Sequence, residues 1–344
     1  MVAGRTVRFD SAALREDLRA AWKDAAAALL LTLAVFVLLY RRVETGASAT
    51  TDVMPYLADA PLYWMYWLCQ AFGWSGLAWA WITVMLGLVR SARRPARLPV
   101  PTARLERWHR TTSLTTIGLM FAHAFWFFAE LVRENADGLS APALVGSAFV
   151  DVFVPGGYSS GTGQIAILIG LLALYLAVPL GLAFYARRWM GPRVWQALHA
   201  SIIVVYVLSV WHTLLYGTNV WYDGAFRTTV WLLQLPVAAL LLARLLAPAR
   251  TAGRTVVDAV GRWVGRGAVA LTVVVVLWAT ATGRDGGRTP GAEGTGPDVT
   301  QAMVWAGSVL FAVAVTVAVV RAHRRPRVRP GRDESGKLEH SRSA

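Results

Sequence analysis

Six histidines occur in the 344-residue chain, and four of them fall in pairs on two apolar stretches. His109 and His123 are fourteen apart, His199 and His212 are thirteen apart, and His323 and His340 lie in the polar tail. An ionisable side chain inside an apolar segment of membrane-spanning length is costly and tends to mark function. One such histidine is more often a packing or cavity residue; four in two matched pairs point to ligation. At a rise of 1.5 Å per residue, the second histidine of each pair lies about 20 Å further along its helix than the first. The four therefore make two levels, His109 with His199 and His123 with His212. Two imidazoles from facing helices clamp one iron axially while an apolar porphyrin replaces lipid-like packing, so two b-type haems are the expected occupants. Zinc or copper would want its ligands clustered at one level, and no carboxylate or thiol is expected near either pair.

Helical phase treats the two pairs differently. Fourteen residues at 100° each return to within about 40° of the starting face, so His109 and His123 share a side, with Thr112, Ser113, Thr116 and Met120 between them. Small hydroxyl residues there either leave room for a flat ring or serve close helix packing. Thirteen residues leave His212 about 140° away from His199 on a straight helix. Bringing both to one side requires tilt, a π-bulge or a kink between them.

These residues need elements to hold them, and the composition says of what kind. With 56% hydrophobic and 16% charged residues and a mean hydropathy of +0.46, the chain is too apolar to cover itself with polar side chains in water. A spanning helix takes about 20 apolar residues. Eight stretches qualify, at 24–40, 66–89, 111–132, 163–186, 195–216, 228–246, 267–282 and 301–320. The expected fold class is all-α: a polytopic membrane bundle of about eight transmembrane helices with a six-helix di-haem core. The expected organisation is a cytoplasmic N-terminal segment (1–23), the core (24–246), two additional helices (247–320) and a basic cytoplasmic tail (321–344).

The formal charge of +14 is a topology signal. With the N-terminus cytoplasmic, the inward segments carry 28 Lys and Arg, and the outward ones carry only Arg41, Arg42, Arg133, Arg227, Arg284 and Arg288. That asymmetry is the positive-inside pattern of a multi-pass cell-membrane protein with both termini cytoplasmic. It excludes nucleic acid as the expected partner and makes anionic lipid the partner of the tail from Arg321 to Arg332. Arg41 and Arg42, on the outward side, are its one blemish. The lone cysteine, Cys69, excludes an internal disulfide, a cysteine-ligated cluster and any CxxC motif, and no CxxCH attaches haem covalently. Gly161, Gly163 and Ala166 match a loose dinucleotide-binding pattern, but they open an apolar helix and follow no strand.

The strings Leu105-Glu106-Arg107-Trp108-His109-Arg110, Ala122-His123, Trp195-Gln196-Ala197-Leu198-His199 and Trp211-His212 resemble the ferric reductase-like transmembrane domain. That family includes ferric reductases, NADPH oxidases and the haem subunit of the bacterial periplasmic methionine-sulfoxide reductase system. The resemblance covers roughly residues 20 to 246. It implies a six-helix core with bis-histidine haems at these fourteen and thirteen spacings. Reductases and oxidases of the family also carry a cytoplasmic flavin and NADPH domain. The 24 residues beyond 320 are too few for one, since such a domain needs on the order of 100.

The expected function is therefore transmembrane electron transfer, as an oxidoreductase component without its own flavin or NAD(P) site. Its donor would be a separate cytoplasmic flavoprotein or a membrane quinol, and its acceptor ferric iron, oxygen or an exported protein. Arg107, Arg110 and Arg193 lie near the inner histidines, where they either pair with haem propionates or simply carry the inside charge. The alternative function is a non-catalytic haem-binding membrane protein, such as a sensor or a transporter subunit.

Overall fold

The computed structural model describes residues 9–91, 100–159, 163–221, 224–246, 256–282 and 299–324. Residues 92–99 of the basic segment from 90 to 110, the start of the Gly161 pattern, the Gly-rich stretch from 283 to 297 and the tail beyond 324 lie outside them. The fold is all-helical, 85% helix with no strand among the described residues. In lipid only a helix or a closed barrel satisfies its own backbone, and a sequence patterned in long apolar runs takes the first course.

The helices in chain order are α1 (Ser11–Ala20), α2 (Trp22–Glu44), α3 (Ala49–Val53), α4 (Trp64–Ser91), α5 (Thr102–Glu134), α6 (Ala141–Phe153) and α7 (Gly163–Leu182). They continue with α8 (Arg187–Met190), α9 (Pro192–Ser201), α10 (Ile203–Tyr216), α11 (Ala225–Leu232), α12 (Gln234–Leu246), α13 (Val256–Thr282) and α14 (Gln301–Arg324). Among the described residues, seven segments are long and apolar enough to cross a membrane: α2, α4, α5, α7, α9 with α10, α11 with α12, and α14. The expected span at 267–282 falls in α13, whose apolar run Trp263–Val274 is shorter than those seven. Large apolar side chains face outward all round the bundle, among them Leu30 (69% exposed), Trp263 (69%) and Leu310 (70%). A surface of that kind suits a multi-pass membrane protein and not a water-soluble one.

The most extensive packing is between α4 and α5, followed by α7 with α10 and α2 with α4. Further out, α12 packs on α4 and α13, and α14 on α9 and α7. The α4–α5 contact is close because small residues line it. Thr111, Thr112, Thr115 and Thr116 are buried, and their hydroxyls donate back to carbonyls on their own helix. Thr116 also meets Thr83 of α4, hydroxyl to hydroxyl, at 3.3 Å. Thr112 and Thr116 thus serve helix packing.

Two segments are better ordered than polar loops. The lead before residue 24 forms α1, and its buried Asp17 accepts from Arg110 Nε at 2.9 Å and from the Tyr185 hydroxyl at 2.9 Å. This ties the lead to α5 and to the end of α7. We expect Asp17→Ala to lower stability by about 1 to 3 kcal/mol, the cost of leaving buried donors without their acceptor. A melting curve in detergent reads this directly, and an unchanged Tm would show that α1 is not docked. The long loop from 133 to 162 holds α6, which packs on α5. It is followed by a turn in which Gly156 takes φ 85°, a conformation that favours glycine.

Arg41 and Arg42, expected on the outward side, have local work. Arg42 donates twice to the Ala47 carbonyl, at 3.1 and 2.7 Å, closing the turn after α2, and Arg41 sits 3.7 Å from Glu44. Turn closure needs a long donor there, which accounts for Arg42 on the poorer side of the charge pattern.

Candidate functional site

All four intramembrane histidines converge in the pairs that their spacing dictates. The ring centroids of His109 and His199 are 5.8 Å apart with planes at 83°, and those of His123 and His212 are 5.8 Å apart with planes at 73°. One pair member in each case rides on the continuous α5. The other rides on α9 or α10.

The helix that carries the thirteen-residue spacing is broken between its two histidines. The helix is interrupted at Ile202, whose N–H bonds to the His199 carbonyl three residues back at 3.4 Å, and Val205 N–H bonds to the Ile202 carbonyl at 3.0 Å. Such i to i+3 bonding advances about 120° per residue against about 100° in an α-helix. The extra rotation has the sign needed to carry His212 toward the face of His199. The break is a tightened turn, where the spacing predicts tilt, a π-bulge or a kink.

Three of the rings are locked in the same way. His109 Nδ1 donates to the Thr83 carbonyl at 3.0 Å, His123 Nδ1 to Cys69 at 2.8 Å and His212 Nδ1 to Ala166 at 2.7 Å. A carbonyl only accepts, so each ring carries its proton on Nδ1 and presents a lone pair at Nε2. This is the support a ligating imidazole characteristically receives from beyond the metal.

A glycine stands four residues after each of those carbonyls. A Cβ on Gly87 would lie 3.0 Å from His109 Cε1, one on Gly73 3.1 Å from His123 Nδ1 and one on Gly170 2.8 Å from His212 Nδ1. Glycine is therefore what lets each ring approach the neighbouring backbone closely enough to bond it. Sequence reasoning passed over these three residues, although a signal was present. Gly73 and Gly87 are fourteen apart on α4, as His109 and His123 are on α5. Antiparallel helices in fixed register put each glycine opposite one histidine.

The fourth ring is held differently. His199 stacks on Trp195 of its own helix, with centroids 5.3 Å apart and planes at 16°.

Each pair lines its own cavity. That of His123 and His212 holds about 1170 Å³ of space free of protein atoms, its open mouth included, and is walled by Phe72, Leu77, Phe127, Ile167 and Leu174, with Gln70 among its few polar groups. That of His109 and His199 holds about 520 Å³ and is lined by Arg90, Glu106, Arg110, Ser113, Tyr185 and Trp195. Met120 lines the first and Ser113 the second, so of the four residues between the α5 histidines two face the cavities and two face packing. Arg110 does reach the smaller cavity, but already paired with Asp17 and with Glu106 at 3.3 Å. Arg90, not singled out from sequence, sits 3.8 Å from the same Glu106. Arg107 and Arg193 are not among the lining residues.

Chemically, each level offers two imidazoles. Against the expectation of no carboxylate or thiol near either pair, Cys69 Sγ lies 3.3 Å from His123 Nδ1 and Glu106 lines the cavity of His109 and His199, because α4 packs against α5 and Glu106 stands one turn before His109. No group of three or more His, Cys, Asp or Glu side chains able to hold a metal ion occurs among the described residues. Such a donor set suits a metal that brings its equatorial ligands with it. Two imidazole nitrogens each about 2 Å from a shared metal put their ring centroids roughly 6 Å apart, close to the 5.8 Å found at both levels. Comparison with protein-family models, with curated proteins and with solved structures found no match to this chain.

Proposed function

We propose that this chain is a transmembrane electron conduit, with one b-type haem held by His109 and His199 and a second by His123 and His212. The observation that carries the reading is the double pairing itself: two imidazole pairs, each 5.8 Å apart, each in its own cavity, about 20 Å apart along α5. An iron ligated by two imidazoles has no open coordination position, and it supplies outer-sphere transfer of one electron at a time. The residues do the rest. The Thr83, Cys69 and Ala166 carbonyls fix the tautomer and aim of three ligands, the glycines admit them, and the apolar walls keep the cavity of His123 and His212 dry. In the smaller cavity, the charges of Arg90 and Arg110 face Glu106 and Asp17.

In this reading the chain is the membrane component of a ferric reductase-like or related oxidoreductase system, its core the six spans up to residue 246. The apolar part of α13 makes an eighth span beside α14. Both termini are cytoplasmic, as the charge distribution requires. That puts the His109 level inside and the His123 level outside. A separate flavoprotein or a quinol donates the electrons to the inner level. An electron leaving the negative side of an energised membrane gains about 2.3 kcal/mol per 100 mV for a full crossing.

Reduced-minus-oxidised optical spectra of the purified protein test the reading. They should show low-spin b-type haem, and a protein without it would end the proposal. Orientation has its own test. In a Cys69-free variant, cysteines at positions 140 and 290 should react with an impermeant reagent added outside, and those at 96 and 330 should not. The opposite pattern would invert the two levels and the direction of flow.

A further inference from the structure

Resting on that reading, we propose that His199 is the exchangeable ligand, so that a small neutral π-acceptor ligand such as carbon monoxide reaches iron at the inner level and not at the outer. Three independent features single it out. His109, His123 and His212 each bond a backbone carbonyl through Nδ1 and each press against a glycine. Among the described residues, no hydrogen bond holds a His199 ring nitrogen and no glycine abuts the ring; besides facing His109, the ring stacks on Trp195, four residues back on the same helix. A stack on its own helix travels with the ligand and does not hold it in place.

The element carrying His199 is also the least anchored of those bearing the site. Helix α9 has ten residues, none of them buried. It is bounded by Gly191, in the left-handed region at φ 83°, and by the broken turn at Ile202. His109 and His123 sit on a continuous 33-residue helix with seven buried side chains. A short helix between two hinges, with few buried contacts, opens at lower free energy than the body it joins.

The two cavities also differ in polarity. The inner space is lined by Arg90, Glu106 and Arg110, which belong to the charged end of the bundle. The outer one is walled chiefly by apolar side chains. Exchange is a plain substitution: the bond from the ferrous iron to His199 Nε2 breaks, a bond from iron to the incoming carbon forms, and no electron changes hands.

Carbon monoxide added to the dithionite-reduced, haem-loaded protein tests this. The difference spectrum should report one carbon monoxide bound per chain, against two haems by pyridine haemochrome. Binding should persist in His212→Ala, measured at the haem that variant retains, and vanish in His109→Ala, which keeps only the outer one. Trp195→Ala should speed carbon monoxide association about threefold to tenfold, the equivalent of one lost aromatic contact. Two haems that stay low-spin and carbon monoxide-free in both the native protein and Trp195→Ala would overturn the inference, as would binding that vanishes in His212→Ala and survives in His109→Ala. Absence of haem would overturn the reading beneath it as well, and the haemochrome ratio tells the two failures apart.

Discussion

The purified protein is expected to return two haems per chain by pyridine haemochrome, and His123→Ala and His212→Ala are each expected to return one. The two outer substitutions should give matching spectra, because either removes one of the two nitrogens that meet at the outer level, where the rings are 5.8 Å apart. His109→Ala should also return one haem, spectrally distinct from the other, and the double variant at 109 and 123 should return none. The loss is large because each level rests on two imidazoles, and no metal-holding cluster of three or more candidate ligands occurs among the described residues. With a cytoplasmic donor, the haem left in His212→Ala should still be reduced. The one left in His109→Ala should not be reduced efficiently, since it lies about 20 Å deeper. A ratio of two in His212→Ala would sink the pairing, and with it the role given to the break at Ile202.

A second large effect is expected from the glycines that press against the histidine rings. In Gly170→Ala the new Cβ would lie 2.8 Å from His212 Nδ1, and in Gly87→Ala 3.0 Å from His109 Cε1. The ring must move, and moving it breaks the bond to Ala166 or Thr83 that aims the ligand. Overpacking of this kind costs about 1 to 3 kcal/mol, so occupancy of the affected level should fall about tenfold or more at limiting haem. The effect should be level-specific, Gly170→Ala depleting the outer haem and Gly87→Ala the inner. Gly118→Ala, on α5 with nothing within 4 Å, is the control and should bind two. Equal loss at both levels from Gly170→Ala would mean a general packing defect and not a displaced ligand.

These effects follow from features that differ in how visible they are along the chain. Apolar runs of spanning length, the one-sided charge and four histidines at fourteen and thirteen are one-dimensional facts, because a helix in lipid converts residue count into depth and phase. From them the all-helical membrane architecture and the two levels could be read directly, and the need for a break between His199 and His212 could be stated before its form was known. The place of that break could not, because which turn tightens depends on what α7 packs against. Likewise α6 reads as a loop and α1 as a free lead until their partners are present. Asp17 becomes a buried anchor only when Arg110 and Tyr185 arrive from residues far along the chain.

What the sequence by itself determined is thus the chemistry available, four imidazoles at two depths in an apolar bundle. What only the tertiary structure decided is which ring meets which backbone. The carbonyls of Cys69, Thr83 and Ala166 carry no mark in the sequence, since every residue has one. They come to hold the histidine rings through the register of α4 against α5 and of α7 against α10, which is a property of two helices together. Gly73 and Gly87 show the boundary between the two kinds of information. Their fourteen-residue spacing is written in the chain, but it acquires meaning only when antiparallel packing brings each one against a histidine ring.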